Sequence, residues 1–253
     1  MIFDLQKASV LKRASAFLLD AILLSILAVF FGWAIAVCTD YDTHQTVVND
    51  AYARYAAEYG VTSEMTTKDP AELTAEESEI LSAASAAIAA DEAAVYAYQM
   101  VGTLSTLIVT FGLLGSFLVL EFAVPLLFGN GQTVGKKIFG IAVMHLEGVR
   151  LSHMPLFVRT VLGKFAVETM PFAMAALYVL SGVGSPVFLL IAAALLLMQF
   201  IVLIASHENA LLHDKMAVTV AVDMASQMIF DTREQMLEYK KKAHAEKVAS
   251  SVY

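Results

Sequence analysis

The sequence holds a single cysteine, Cys38, among its 253 residues. One cysteine excludes a disulfide within the chain and any metal cluster built from several thiolates. Charged residues are also scarce, at 16% of the chain, where soluble domains have about 25%. Apolar residues make up 58%, against about 45–50% in such domains. Because the apolar surplus is concentrated in long runs, the composition indicates a multi-pass membrane protein.

A nucleotide-binding loop is also missing, although residues 131–140 (GQTVGKKIFG) contain a glycine–lysine pair. Such a loop has the pattern G-x-x-x-x-G-K-[ST], whose backbone N–H groups hold the phosphates. Counted from Gly135, the first glycine is replaced by Asn130 and the final hydroxyl residue by Lys137. We therefore expect no nucleotide and no other cofactor. Nothing in the charge pattern resembles a nucleic-acid-binding surface either.

Four apolar runs are long enough to cross a membrane, which takes roughly 20 residues of helix. They cover residues 14–38, 101–128, 160–182 and 186–206. The first run has some features of a signal peptide, but signal cores have about 7–15 residues, and this run is longer and contains Asp20. The pattern predicts an all-α membrane protein with four transmembrane helices, the last two joined as a hairpin.

The distribution of positive charge predicts the orientation, because lysine and arginine concentrate in cytoplasmic loops. They precede the first run, recur in the 129–159 loop and follow the fourth run. The 39–99 segment has only Arg54 and Lys68, against twelve acidic residues. We therefore expect both termini in the cytoplasm and 39–99 outside, in a cell inner or plasma membrane.

The outside segment is predicted to be helical. Residues 70–99 are rich in alanine and glutamate, which favour helix. Because no strong breaker separates them from the second run, we expect one long helix to continue from residue 70 into that run. Residues 52–60 predict a shorter helix that packs on this one. The acidic surface is either a solvated cap or a site for a ligand or partner. A D-x-D-x-H sequence at 40–44 resembles metal-ligand spacing, but a solvated loop is the preferred interpretation and no metal site is predicted.

Two short stretches, 141–145 and 218–223, alternate apolar and other residues as half-buried strands do. We expect them to pair as a small cytoplasmic β-ribbon that ties the middle loop to the C-terminal segment. The sequence GQTVGKK is then an interfacial turn and short helix that leads into a strand. Its lysines, Lys136 and Lys137, are expected to face anionic lipid headgroups.

The predicted organisation has six segments. They are the N-terminus and first transmembrane helix (1–38), the acidic helical segment (39–99), the second transmembrane helix (100–128), the interfacial loop (129–159), the transmembrane hairpin (160–206) and the C-terminal segment (207–253). Within the last of these, residues 224–248 favour helix.

Three stretches together resemble one family pattern. The first run opens with R-x-x-A-x-x-x-D from Arg13 to Asp20, GQTVGKK follows the second run, and an H-D-K sequence that begins at His213 follows the fourth. In this order on a four-helix chain they resemble the RDD family of bacterial membrane proteins, named for an arginine and two aspartates. Those positions match Arg13, Asp20 and Asp214. The family's usual GKR is GKK here, and Val218 stands where glycine is common. The resemblance implies a membrane location and transport.

Asp20 is the first candidate site residue, because a charged side chain near the bilayer centre costs at least about 2.5–3.5 kcal/mol and usually has a partner. Arg13 lies seven residues earlier, on nearly the same helix face. Lys164 and Glu168 are four residues apart on the third run and can pair with each other. The four residues predict either an ion-paired lock between helices or a site for a cation or proton.

His213 and Asp214 follow the fourth run with no convincingly placed serine or cysteine, so we do not expect an enzyme. Asp214 is predicted to cap a turn or to bind a cation at the inner surface, namely Arg13, Lys136 or Lys137. The leading hypothesis is a small transporter that exchanges monovalent cations for protons. The alternative is a non-catalytic membrane scaffold that recruits a partner. Four helices make a thin wall in the bilayer, so transport would favour a homo-oligomer.

Overall fold

The computed structural model describes residues 5–206 and 210–251. Helices predominate beside a two-stranded sheet. In chain order the elements are α1 (Val10–Cys38), α2 (Tyr41–Tyr59), α3 (Ser63–Thr67), α4 (Ala75–Ala90), α5 (Glu92–Phe128), α6 (Val134–Ile138), β1 (Ile141–His145), α7 (His153–Ser181), α8 (Val187–Ala205), α9 (Leu212–Met216), β2 (Thr219–Asp223) and α10 (Arg233–Ser251). The chain forms two compact units. The insertion unit is Gly32–Ile108, and the core unit combines the residues up to Phe31 with those from Val109 onward.

Among the described residues, four helices are long and apolar enough to cross a membrane: α1, α5, α7 and α8. They coincide with the four predicted runs, but three of them begin earlier than expected, at Val10, Glu92 and His153. Hydropathy marks only the apolar part of a helix, and polar residues extend each of these three beyond it. The loop after the second span is shorter in consequence. Gly182 ends α7 with φ of 70°, which makes the expected tight turn before α8.

In the insertion unit, α2 packs against α4. The expectation of one unbroken helix from residue 70 into the second span is wrong, because the helix is interrupted at Asp91. Its Oδ1 accepts the backbone N–H groups of Ala93 (3.0 Å) and Ala94 (3.1 Å). An aspartate in this position caps the start of the next helix. Arg54 of α2 forms an ion pair with the same carboxylate. The interruption between α4 and α5 is therefore also a point at which α2 is attached to them.

Residues 40–44 are largely helical rather than a solvated loop. Asp42 and His44 lie within the first turns of α2. The His44 ring packs edge-on against Tyr96, with 6.0 Å between the ring centroids. Within the described parts of the chain, no three histidine, cysteine, aspartate or glutamate side chains are grouped so as to hold a metal ion.

The predicted ribbon in the core unit is confirmed. Strands β1 and β2 pair antiparallel, with Ile141 opposite Asp223 and His145 opposite Thr219. The other edge of β2 receives the N-terminal segment, since the N–H of Ala8 donates to the Ala221 carbonyl over 3.3 Å. Strand β2, which belongs to the C-terminal segment, is therefore hydrogen-bonded to the middle loop on one edge and to the residues before α1 on the other.

The GQTVGKK stretch is a turn and a short helix that leads into β1, as the sequence predicted. Asn130 and Gly131 have φ of 49° and 60°, which turns the chain sharply. Thr133 caps α6, because its hydroxyl accepts the N–H of Lys136 at 3.4 Å. The short helix ends before Gly140, whose φ is 66°, and β1 begins at the next residue.

Both α5 and α7 contain a π-helical segment, Leu118–Ala123 and Val158–Thr169 respectively. Each segment stops just before a proline, Pro125 or Pro171, near the start of the α-helix that follows. Proline has no N–H and cannot donate to a preceding carbonyl. π-Helical turns are rare and are frequently found at functional sites. Glu121 lies in the first of these segments, and Arg159, Lys164 and Glu168 lie in the second.

The predicted helix at 224–248 is confirmed only in its later part, because α10 begins at Arg233 and residues 224–232 are not helical. The Thr232 hydroxyl accepts the N–H of Gln235 over 3.3 Å. Before the helix, the backbone of Phe230 bonds to Arg150 (2.8 Å) and to Gly148 (3.1 Å) of the loop after β1. Met236 is 5% exposed, so the first part of α10 is packed into the core unit.

Candidate functional site

Asp20 is a buried anchor for the loop after the second span. Its side chain is 8% exposed although it lies in the candidate span α1. Oδ1 accepts the backbone N–H of Gly135 at 2.7 Å, and Oδ2 accepts the Thr133 hydroxyl at 2.5 Å. The loop approaches closely, since a Cβ on Gly135 would lie 2.4 Å from the Ala16 carbonyl oxygen. Glycine is required here by the contact between the loop and α1.

Lys136 lies between two acidic side chains from different spans. Its Nζ is 3.9 Å from Asp20 Oδ2, 3.6 Å from Glu121 Oε2 and 3.0 Å from Thr133 Oγ1. The side chain is only 12% exposed. Lys164 donates to the same Glu121 oxygen over 2.6 Å. Burial lowers the pKa of Lys136 to about 8, and the nearby negative charge of Glu121 offsets this only in part.

A second group of charges surrounds Asp214, whose side chain is 1% exposed. Arg159 of α7 pairs with its Oδ1 and also donates to Thr219 Oγ1 over 2.8 Å. Arg13 of α1 reaches its Oδ2 at 3.5 Å. Burial by itself raises the pKa of Asp214, but the charges of Arg159 and Arg13 outweigh it and hold the pKa well below its usual range. Asp214 therefore joins two spans to the start of the ribbon.

His213 connects this group to Glu168. Its Nδ1 is 2.7 Å from Glu168 Oε2, and its backbone N–H donates to Oε1 over 2.8 Å. Nε2 is 3.2 Å from Arg159 Nη2. Because arginine is only a donor, Nε2 is the acceptor and Nδ1 carries the proton. Burial lowers the pKa of His213, in agreement with a neutral ring. Gly163 permits the close approach of α9, since a Cβ there would lie 2.7 Å from His213 Cβ.

These groups border one cavity of about 490 Å³ within the core unit. The residues that line it include Arg13, Asp20, Glu121, Lys136, Lys164 and Glu168. Together with Arg159 and Asp214, the cluster has four acidic and four basic side chains, from three spans and two connecting segments. With all eight ionised and His213 neutral, the cluster has no net charge. Such a site can exchange one positive charge for another at little electrostatic cost.

The structure brings most of the predicted site residues together, but with different partners. Lys164 binds Glu121 rather than Glu168, which binds His213 instead. The expected pairing assumed an α-helix, in which residues four apart adjoin. The π-helical segment of α7 changes that spacing.

Other expectations about the cluster need correction. Asp20 is held by the GQTVGKK loop, not by Arg13 or the third span. Lys136 points into the cluster and not at headgroups, whereas Lys137 is exposed with its Nζ 3.8 Å above the Phe128 ring. Asp214 does bind Arg13, one of its three expected partners, but it binds neither of the two lysines among the described ion pairs.

Two members of the cluster were not identified from the sequence. Neither Glu121, inside the second apolar run, nor Arg159, in the 129–159 loop, is among the candidate site residues that the sequence gives. Glu121 carried a usable signal, since the cost argument applied to Asp20 applies equally to an acidic residue inside the second run. Arg159 had no such signal, because its burial at 4% exposure follows from α7 beginning at His153.

The sequence profile of the RDD family matches residues 7–218. This range contains all eight charged residues of the cluster. No curated protein and no solved structure matches the chain. The match extends over most of the sequence and includes α1, the GQTVGKK loop and the H-D-K sequence that follows the fourth span. With its four candidate spans, this chain is a multi-pass membrane protein that belongs to the RDD family.

Proposed function

We propose that this protein exchanges a monovalent cation for a proton across a membrane. The observation that supports the proposal is the cavity of about 490 Å³, bordered by a charge-balanced cluster that three candidate spans and two connecting segments supply. A purely structural ion pair does not need an adjoining cavity. A transported ion needs space and needs ligands. When the ion leaves, another cation must balance the negative charge of those ligands.

The cluster contains the chemistry that such an exchange requires. Carboxylate oxygens of Asp20 and Glu121 are ligands for a hard monovalent cation. Basic side chains lie beside them, so a proton on one of these can replace the charge of the ion. The π-helical segments present Glu121 and Lys164 on facing elements, 2.6 Å apart. Irregular helix inside a membrane is tolerated where it lines a cavity.

The proposed location is a bacterial inner or plasma membrane. The proposed orientation places the ribbon and both termini on the cytoplasmic side of that membrane. It rests on the scarcity of lysine and arginine in 39–99. Lys137 and Ile138 are exposed beside the end of α5, where they would contact anionic headgroups and the interface. A homo-oligomer would supply the further helices that a wall of four spans lacks.

Flux through purified protein in liposomes tests the exchange. Acid-loaded liposomes should become alkaline inside when Na⁺ or K⁺ is added outside, and choline should have no effect. Asp20→Asn keeps an acceptor for the Gly135 N–H but removes the charge, so we expect a folded protein with lost flux. Glu147→Gln changes an exposed ion pair with Arg233 and is the matched control. Absence of cation-driven flux in the wild-type protein would contradict the proposal.

A membrane scaffold is the second candidate, and one observation favours it. Every buried side-chain nitrogen or oxygen atom among the described residues has a hydrogen-bond partner, so the cluster is sufficient as a lock between α1, α5 and α7. In that case the loss of Asp20 would lower the stability of the protein. Variants of the cluster would leave ion flux into the liposomes unchanged. The acidic insertion unit, with Tyr52 half exposed, would then be the surface that a partner contacts.

A further inference from the structure

The first span presents two neighbouring faces to the core unit. One face carries Arg13, Ala16 and Asp20, and it is held by Asp214, by the ribbon and by the GQTVGKK loop. The other face is apolar and lines the cavity with Val10, Ala14, Phe17, Ala21 and Leu24. Because these five residues recur every three or four positions, they form one stripe along α1. The cavity therefore follows the first span.

The cavity is long and narrow. The residues of α1 that line it extend from Val10 to Ser25, a distance of about 22 Å along a helix axis. Spread over that length, its volume of about 490 Å³ has a mean cross-section of about 22 Å². A helix is about 10–12 Å across with its side chains and is too wide for this slot. A single hydrocarbon chain fits it, because apolar carbon atoms pack about 3.5–4.0 Å from one another.

The helices around the slot cannot move together to close it. At one level α1 and α5 already touch, since a Cβ on Gly115 would lie 3.1 Å from the Phe31 ring. At another level Lys136 lies between Asp20 of α1 and Glu121 of α5, 3.9 Å and 3.6 Å from their carboxylate oxygens. These contacts fix the separation of the two helices. Because the cost of an apolar void rises with its volume, the slot requires apolar atoms to fill it.

The slot opens sideways into the hydrocarbon of the membrane. Val10 and Phe17 of α1 line the slot, yet each is 67% exposed. Leu203 of α8 also lines it and is 39% exposed. Phe117 of α5, in contrast, is a lining residue that is only 5% exposed. A chain can therefore enter from the bilayer between α1 and α8 and reach Phe117 at the inner wall.

The charges at the start of α1 indicate which kind of lipid enters. Lys7 and Lys12 are exposed, and the half-buried Arg13 lines the slot itself. The acidic partners of Arg13 and Lys12 are covered, since the side chains of Asp214 and Asp223 are 1% and 20% exposed. A lipid headgroup at this end therefore meets positive charge, and basic groups beside a span attract anionic lipids.

We propose that the slot holds one acyl chain of an anionic phospholipid, whose phosphate lies at Lys12 and Arg13. An ammonium has three N–H donors and a guanidinium has five, so both residues can contact the phosphate while they keep their carboxylate partners. The chain lies on the apolar stripe of α1 and joins the first span to α8. The charged side of the cavity stays with the cluster, so the inference does not depend on the proposed exchange.

A photoactivatable lipid tests the inference on the wild-type protein in phosphatidylcholine liposomes. The probe is a trace of phosphatidylglycerol with a diazirine near the middle of one acyl chain, and labelled residues are located by mass spectrometry. Labelling of Phe117 is the decisive signal, because lipid outside the slot does not reach a residue that is 5% exposed. The same diazirine on phosphatidylcholine should label Phe117 about fivefold less.

Variants of the two parts of the site sharpen the test. Ala21→Phe fills the slot and should abolish labelling of Phe117, whereas Ala194→Phe, on an exposed part of α8 outside the slot, should not. If Ala21→Phe does not fold, Ala14→Phe obstructs the slot from an exposed position. Lys12→Gln should remove about fivefold of the preference for phosphatidylglycerol.

Three results would overturn the inference. The first is the absence of label on Phe117, and the second is equal labelling by the two lipids. The third is labelling of Phe117 that persists undiminished in a folded Ala21→Phe or Ala14→Phe protein. A photoactivatable residue introduced as Leu24→p-benzoylphenylalanine should cross-link to lipid. A cross-link between two protein chains would instead show a second copy in the slot and would also overturn the inference.

Discussion

The backbone N–H of Gly135 donates to Asp20 Oδ1 over 2.7 Å. One bond thus joins a carboxylate in the first candidate span to a loop 115 residues later in the chain. The same carboxylate accepts the Thr133 hydroxyl, so its two oxygens hold the turn and the first helical residues of α6. Two of the most recognisable motifs of the sequence are therefore one structural contact.

Gly135→Ala should damage this contact. The added Cβ would lie 2.4 Å from the Ala16 carbonyl oxygen and 2.9 Å from Asp20 Cγ, so backbone must shift. We expect a loss of about 1–3 kcal/mol, measured as a lower midpoint of urea or thermal unfolding in detergent. In the control Gly115→Ala, the atoms nearest to the new Cβ belong to the Phe31 ring, at 3.1 Å, so the loss should be smaller. Equal losses would show that backbone approach at Gly135 is not what requires glycine.

Asp214→Asn should be strongly destabilising. It leaves the buried guanidinium of Arg159 and the half-buried one of Arg13 without their shared anion. Removing one partner of a buried pair costs about 3–5 kcal/mol. The exposed pair of Glu147 and Arg233 supplies the control, because Glu147→Gln should change stability by no more than about 0.5 kcal/mol. Denaturant unfolding of both variants compares them, and a wild-type midpoint for Asp214→Asn would refute the role given to this carboxylate.

Stability should rise between pH 8 and pH 10 through Lys136. Its pKa is about 8 in the folded protein and about 10.4 in an unfolded chain, so above pH 8 the unfolded state binds the extra proton. Stability then increases with pH, by about 2 kcal/mol at pH 9.5, since one pKa unit corresponds to about 1.4 kcal/mol.

The measurement is the difference in unfolding free energy between wild type and Lys136→Gln at pH 7.5 and pH 9.5. Lys137→Gln is the control, and its difference from wild type should stay constant. A constant difference for Lys136→Gln as well would mean that the Lys136 pKa is not lowered by folding.

The orientation predicts which residues a membrane-impermeant thiol reagent can reach. In a Cys38→Ala background, a cysteine at the exposed Ser63 should be labelled on intact cells. One at the exposed Ser226, just after β2, should be labelled only after the membrane is opened. The opposite result would reverse the orientation and place the ribbon outside.

Sequence alone determined the features that depend on neighbouring residues. Hydropathy located the four candidate spans, because a helix that crosses a membrane needs roughly 20 mainly apolar residues. Alternation located both strands of the ribbon, because successive side chains of a strand point to opposite faces. Motif order identified the family. The cost of charge in an apolar run singled out Asp20, and the same reasoning would have found Glu121.

Only the tertiary structure decided the pairings. Lys164 pairs with Glu121, and not with Glu168 as expected, because α7 is π-helical there. The hydrogen-bond register within a helix leaves no simple trace in composition. Lys136 lies in the cluster, and not at the membrane interface as expected, because its loop folds back on α1. That contact joins residues more than a hundred positions apart in the chain. Asp91 ended one helix and began another because its side chain caps the second. Helical propensity is summed over many residues, but a cap or a buried charge is settled by the few atoms within hydrogen-bond reach.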